Sequence, residues 1–525
     1  MFTQQSEFKH SKYTLKVEEE VINGIGDIVV AATAGSGKST LIEYLVRNVI
    51  KTSCTVIAFN THIVSAMRQR LQGLNHVNVA TLHAVGNGCV TSFLGRTQRP
   101  DTMKYRKIVN TLIDNHTVIF SDKSTFLPAA LDYISKLDSR DEIDEAKKQI
   151  LHIGEFCRLT LTNYKSEDNV QEMIEQYNLD LTFPFSVVFP IIGKIIDRGI
   201  EKAKEEKLID FTDMIFLPHV WNLKPYQSSW VLVDEGQDLN KAQLEIAIKC
   251  RANGGRMIFV GDRDQAIMGF AGADSSSIDN IIARTNAQEL PLSICYRCPK
   301  SHIELARKIT DNIEPAEWAI DGTIDYIKED KLRSIVQYGD LIIGRKTAPL
   351  IKQCISLIAA GIKAKVRGRE IGKQLVAITN DVAKQPYFTF ANFLVYLEAY
   401  KDSKIAKFKQ VQNDAQIEAT TDKCMAVEAC YLNINARDLN DLCFNMEAMF
   451  SNDNEQPPVM LSTVHRAKGL ENDRVFILHP EDLPLRWNGQ KPDQTKQEHN
   501  LKFVSLTRAK QSLVFVAKPK KTTEE

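Results

Sequence analysis

Short apolar runs alternate with helix-period patterns in two separate stretches of the chain, the layout of α/β lobes built on parallel sheets. In the first stretch, strands are predicted at Asp27–Ala32, Cys54–Phe59, Val77–Ala80, Trp230–Asp234 and Met257–Gly261. The second offers Thr323–Ile327, Asp340–Ile343, Val459–Thr463, Arg474–Leu478 and Leu513–Val516. A mostly helical segment interrupts each. Tyr105, Ile108, Val109, Leu112 and Ile113 fall on one helical face, as do Phe393, Leu394 and Leu397, and both stripes read most simply as core. A polar linker, Ser451-Asn452-Asp453-Asn454-Glu455-Gln456-Pro457-Pro458, closes the second insert. No internal repeat is visible.

Composition changes this picture little. The 525 residues suffice for about three domains, and 43% hydrophobic content can fill their cores. No run has the length of a membrane span, and the polar start Met1-Phe2-Thr3-Gln4-Gln5-Ser6-Glu7 lacks a signal-peptide layout, so a soluble protein without a membrane partner is expected. Ten scattered cysteines suit reduced thiols in a cytoplasmic compartment, the host cytoplasm for a viral protein. Cys295 and Cys298 form one Cys-x-x-Cys without a second pair at zinc-site spacing, and Cys424, Cys430 and Cys443 are unevenly spaced. Basic and acidic residues balance at 66 each, so a nucleic-acid partner would have to be held in a local groove rather than by a global field.

Chemistry enters at residues 29–40, Val-Val-Ala-Ala-Thr-Ala-Gly-Ser-Gly-Lys-Ser-Thr, where an apolar strand runs into a glycine-bearing loop, a lysine and two hydroxyls. Such a loop binds a nucleoside triphosphate: backbone N–H groups from Ala34 through Gly35, Ser36 and Gly37 to Lys38 would point at the phosphates. Lys38 would sit on the β- and γ-phosphates, with Ser39 on Mg²⁺ and Thr40 beside it. The strict G-x-x-x-x-G-K-[ST] pattern fails at Ala32, which leaves a plain Gly/Ser turn as the alternative on this segment alone. A second acidic half follows the run Trp230-Val231-Leu232-Val233, which ends in Asp234-Glu235-Gly236-Gln237-Asp238. Carboxylates at the end of a neighbouring parallel strand would share the loop's crevice, Asp234 holding Mg²⁺ and Glu235 orienting or deprotonating the attacking water. A solvated acidic turn is the bland alternative. Gln265, after Val260-Gly261-Asp262, could sense the γ-phosphate, and Arg297 and Arg508 are candidates to stabilise transferring phosphoryl charge. His465 taken alone would more often be a structural histidine.

Taken in order, Ala34–Ser39, Ala58-Phe59-Asn60-Thr61, Thr81-Leu82-His83, Asp210-Phe211-Thr212-Asp213, Asp234–Asp238, Gly261-Asp262 to Gln265, Tyr296-Arg297, Thr463-Val464-His465 to Glu471 and Thr507-Arg508-Ala509-Lys510 resemble the successive motifs of the UvrD/Rep branch of superfamily 1 helicases. The resemblance spans nearly the whole chain, and that family also carries alanine at the Ala32 position. The Ala-Phe-Asn and Thr-Leu-His variants resemble the F-box DNA helicase subgroup, although no F-box is present. The resemblance implies two RecA-like lobes with ATP and Mg²⁺ bound between them and single-stranded DNA across their top. It puts the first lobe at 1–95 and 191–290 with a helical insert at 96–190, and the second at 291–370 and 456–525 with a reduced insert at 371–455. By motif match, Arg297 and Arg508 would reach the γ-phosphate, Tyr296 would stack on the base and Glu471 would contact the ribose. Phe59, Asn60, Thr81, His83, Phe270, Thr463 and His465 match positions along the DNA path, with Phe270 expected to stack on a base or, on the plainer reading, simply to be buried. Two departures stand out: Leu15-Lys16-Val17-Glu18-Glu19-Glu20 holds no glutamine where the family reads adenine, and Met268 and Ala271 replace a common aromatic and arginine.

The expected activity is therefore an ATP-dependent helicase or translocase on single-stranded DNA and single-strand/duplex junctions, moving 3′ to 5′. The alternatives are a translocase that strips proteins, the motor subunit of a helicase-nuclease or defence complex with a loading or nuclease partner on another chain, and a non-hydrolysing DNA-binding scaffold.

Overall fold

A computed structural model of the chain describes residues 8–96, 99–114, 126–137, 140–179, 181–269, 272, 276–410, 413–451 and 459–518. The chain divides into two compact units: residues up to Ala32 together with Gly37–Leu292, and Thr33–Ser36 together with the residues from Ser293 onward.

In the first unit six strands, β1 (Ile28–Ala32), β2 (Cys54–Ile57), β3 (Val77–Ala80), β4 (Ser228–Val233), β5 (Arg251–Gly261) and β6 (Gln288–Leu292), form one sheet in the order β3-β2-β4-β5-β1-β6. Every pairing is parallel. The apolar runs serve both faces, because successive side chains alternate sides. Ile28, Val30, Leu232, Ile258 and Val260 enter one core, whereas Val29, Val231, Val233, Met257 and Phe259 enter the other. Asp27, Ala58, Phe59 and Asp234, expected inside strands, lie just beyond the strand ends. β6, Gln-Glu-Leu-Pro-Leu, was not among the expected strands; at the sheet edge its Pro291 is tolerated.

Helices Lys104–Asp114, Phe126–Ser135, Arg140–Leu159, Glu167–Tyr177 and Phe185–Glu205 share a separate core in the same unit. The predicted stripe of Tyr105, Ile108, Val109, Leu112 and Ile113 is buried in it. Inside lies an ionic cluster that no local pattern announces. The Lys104 ammonium donates to the Asp213 carboxylate at 2.5 Å and to the Gly199 carbonyl at 2.8 Å, and the Tyr105 hydroxyl donates to Asp213 at 3.0 Å. Arg158 bridges Asp210 (2.9 Å) and Asp213 (3.0 Å) while its guanidinium lies 3.7 Å from the centre of the Tyr105 ring. Asp210 also caps the helix Phe211–Val220, accepting the Asp213 N–H at 2.7 Å.

The second unit holds a short pair, β7 (Ile294–Cys295) and β8 (Glu314–Pro315), and a seven-stranded sheet. Its strands are β9 (Thr323–Lys328), β10 (Leu341–Gly344), β11 (Ala364–Arg367), β12 (Phe450–Ser451), β13 (Val459–Thr463), β14 (Asn472–Leu478) and β15 (Ala509–Ala517), in the order β12-β11-β13-β10-β14-β15-β9 and again all parallel. β11 and β12 were not expected, being too short and too polar to stand out. Helices Arg369–Ala383, Phe393–Gln410, Asp414–Asn433 and Leu439–Ala448 pack on this sheet's core, with Phe393 and Leu397 buried and Leu394 against them. Ser451, expected to open the polar linker, instead ends β12, and the rest of that linker, 452–458, lies outside the described residues. All ten cysteines are free, and the described residues hold no group of three or more His, Cys, Asp or Glu arranged to hold a metal ion. No described helix is long and apolar enough to cross a membrane.

Removing Asp213 leaves the Lys104 ammonium buried without its carboxylate partner and Arg158 with Asp210 alone. Asp213→Ala is therefore expected to destabilise the protein by roughly 3–5 kcal/mol, whereas cutting an exposed pair such as Lys136–Asp132 costs about 1 kcal/mol or less. Urea denaturation of the two variants checks this; equal small losses would show that the cluster is not holding the helices.

Candidate active site

In the first unit the site is built at the C-terminal ends of β1, β4 and β5. The chain leaves β1, turns through Gly35 (φ 66°) and Gly37 (φ 82°), and starts the helix Lys38–Tyr44. A side chain at Gly35 would be strained and would also bring a Cβ within 2.6 Å of the Arg297 Cβ. Ala34 and Ser36 are buried and Thr40 is exposed. The buried hydroxyls of Thr33 and Ser36 have no hydrogen-bond partner among the described residues, an unusual state for interior oxygens and one that phosphate oxygens would relieve. Lys38 Nζ lies 3.5 Å from a Glu235 carboxylate oxygen, and the Ser39 hydroxyl donates to Asp234 Oδ2 at 3.4 Å.

β1 and β4 are not direct neighbours as expected; β5 runs between them and contributes its own carboxylate, Asp262. Burial, reinforced by the Glu235 carboxylate, pushes Asp234 up to about 6 despite Lys38. Burial lifts Asp262 to about 6 as well. Glu235 adopts a left-handed backbone (φ 55°, ψ 44°), its N–H donating to Asp234 Oδ1 at 3.0 Å. Gln237 links the two strand ends, donating to Glu235 and accepting the Asp262 N–H at 2.9 Å, while Gln265 donates to Asp262 at 2.6 Å. The bridging roles of Gln237 and Asp262 were missed, although both stand within quoted motifs. A hydroxyl and a carboxylate are hard oxygen donors, and an interior acid beside another acid is favoured by a divalent cation; these residues fit Mg²⁺.

The second unit gathers the remaining nucleotide candidates. The Tyr296 N–H donates to the Gly35 carbonyl at 2.9 Å. Arg297 donates to Glu471 at 2.6 Å and to the Thr507 carbonyl at 3.3 Å. Burial works to raise Glu471, but Lys510, 2.9 Å away, and Arg297 together hold it below the usual carboxylate range. Arg508 is enclosed: it donates to the Val504 carbonyl (2.9 Å), the Leu470 carbonyl (3.2 Å) and the Thr507 hydroxyl (3.0 Å).

Of the DNA-path candidates, Asn60 and Thr81 are helix caps, accepting the Ile63 N–H at 2.9 Å and the Ala84 N–H at 3.1 Å. Phe59 and His83 line a small cavity together with Asp234 and Gln243, and burial lowers the His83 pKa. Phe270 lies outside the described residues. In the second unit Thr463 ends β13, and His465 follows in the short helix Val464–Ala467. Burial and the nearby Arg345 guanidinium push His465 down to about 3, so its imidazole is neutral at pH 7.

The chain is similar to known proteins along most of its length. The UvrD/REP helicase N-terminal domain matches residues 16–286 and the UvrD-like helicase C-terminal domain residues 303–520. A DNA helicase II of Haemophilus influenzae is 21% identical over 95% of this chain and 83% of its own length. A probable DNA helicase II homolog of Mycoplasma pneumoniae is 22% identical over 94% and 82%. The ATP-dependent DNA helicase PcrA of Bacillus subtilis is 24% identical over 56% of this chain and 39% of its own. With one family domain spanning over half of the sequence and a second most of the remainder, the chain belongs to the UvrD/Rep helicase family.

Proposed function

We propose that this enzyme hydrolyses ATP with Mg²⁺ and uses the cycle to move 3′ to 5′ along single-stranded DNA, separating strands at single-strand/duplex junctions. Family membership makes it an ATP-dependent DNA helicase. Polarity, single-strand tracking, junction preference and residue roles are the reading added here. The observation that carries it is the convergence of Lys38, Ser39, Asp234 and Glu235 at the strand ends of the first unit.

Ser39 and Asp234 would hold Mg²⁺, which when bound supplies positive charge against the phosphate oxygens. Lys38 neutralises the β- and γ-phosphates, and Glu235 orients the attacking water and accepts its proton. Gln265, tied to Asp262, reports whether the γ-phosphate is present. Arg297 and Arg508 stabilise the transferring phosphoryl group, and Arg508 does so only by giving up the carbonyls that now hold it. Tyr296 serves as the base platform, and Glu471 reaches the ribose in competition with its ion pairs. Asn60 and Thr81 present helix N-termini suited to DNA phosphates, and Thr463 and neutral His465 offer uncharged contacts. Phe59, His83 and Phe270 complete the DNA path.

Lys38→Ala and Glu235→Gln are expected to abolish DNA-stimulated ATP turnover, and Arg297→Ala to lower it by roughly 10³–10⁵. Normal turnover in Glu235→Gln removes its role. Asp234, near 6 in the folded protein against 3.8 as a free group, loses its proton above that range at a cost to folding. Asp234→Asn should accordingly raise Tm at neutral pH while ending turnover, and in the unaltered enzyme the Mg²⁺ concentration needed for half-maximal activity should climb as pH falls through about 6, read in Mg²⁺ titrations. Strand displacement on 3′-tailed and 5′-tailed duplexes tests the motor: release of the 3′-tailed substrate alone is expected. Protein displacement without strand release would instead make this a stripping translocase.

A further inference from the structure

The turn after β8 carries Trp318, whose surface is 57% exposed, so burial in a core does not explain it. The turn is nonetheless fastened. The Ala316 N–H donates to the Cys295 carbonyl at 3.3 Å, the Lys300 N–H to the Ile320 carbonyl at 2.8 Å, and the Ala319 N–H closes the turn on the Ala316 carbonyl at 2.9 Å. These bonds grip the chain on both sides of Tyr296-Arg297, and β7 and β8 pair immediately before. The indole lies on the Tyr296 ring, centroids 5.7 Å apart and planes 22° apart. The Tyr296 backbone is in turn bonded to Gly35 in the phosphate loop.

A tyrosine ring turns freely about χ1 and χ2 unless something packs against it, and a platform for a base is useful only if its plane is fixed before the base arrives. From this geometry we infer that Trp318 is a positioning residue for the nucleotide: it backs the Tyr296 ring and holds its plane so that a purine base stacks on the opposite face while the triphosphate rests in the loop. The inference rests on Tyr296 being the base platform.

ATPase kinetics of the 525-residue chain test it. Trp318→Ala is expected to raise KM for ATP about 2- to 10-fold, the usual worth of an aromatic pair, with kcat little changed and Trp318→Phe close to the unaltered enzyme. Inhibition by tripolyphosphate, which has the phosphates and no base, should be the same in all three proteins. If Trp318→Ala weakens tripolyphosphate as much as ATP, the tryptophan merely supports the loop and the inference is overturned. Tyr296→Ala run in parallel separates the two layers. A raised KM there with none in Trp318→Ala overturns the inference alone, and no change in either variant overturns the platform together with it.

Discussion

A carboxylate taken out of water at the end of β4 organises the first unit. Asp234 is fully enclosed, sits beside a second acid, and is relieved only partly by the Ser39 hydroxyl, the Glu235 N–H and the field of Lys38. A parallel sheet buried on both faces forces such a group to the strand end, the one place where the ladder stops and polar atoms meet a loop. β5 delivers Asp262 to the same rim, and Gln237 ties the rims of β4 and β5 together through one amide. Gly261 is needed there because a Cβ would come within 2.7 Å of that amide's oxygen. The result is a cluster of acids around one lysine in which burial holds both Asp234 and Asp262 well above the usual carboxylate range.

The second unit takes the opposite course with its cations. Arg297 and Arg508 both lean on Thr507, one on its carbonyl and the other on its hydroxyl, and Glu471 is shared by Arg297 and Lys510. Each guanidinium is satisfied by atoms of its own unit. Under the proposed role of these arginines, a phosphate would have to compete with existing bonds, so nucleotide contact and rearrangement around Thr507 would be linked by the same donors.

Much of this was legible because apolar runs with period-2 burial on both faces give strands, and because the phosphate loop and the Asp-Glu pair are contiguous in sequence. The edge strand β6, with Glu289 and Pro291, carries no such signal, since an edge can accept residues that a central strand cannot. The Lys104, Tyr105, Arg158 and Asp213 cluster is assembled from three stretches more than fifty residues apart and leaves no local pattern. Asp210 and Asp213 were visible as a motif, but nothing in the string says that one caps a helix and the other sits among buried cations. Asn60 and Thr81 likewise read as contact residues, and only the fold reveals that each also starts a helix. Trp318 went unnoticed, because it stands in no motif and only the folded turn lays it on Tyr296.

Glu235 occupies a backbone region that glycine and asparagine tolerate far better than glutamate. Under the role proposed for Glu235, local folding preference and the need for a carboxylate pull in contrary directions at a single position. Under that role, replacing Glu235 by glycine or asparagine would relieve the backbone and remove the carboxylate in one step, so folding stability and turnover trade against each other at this residue.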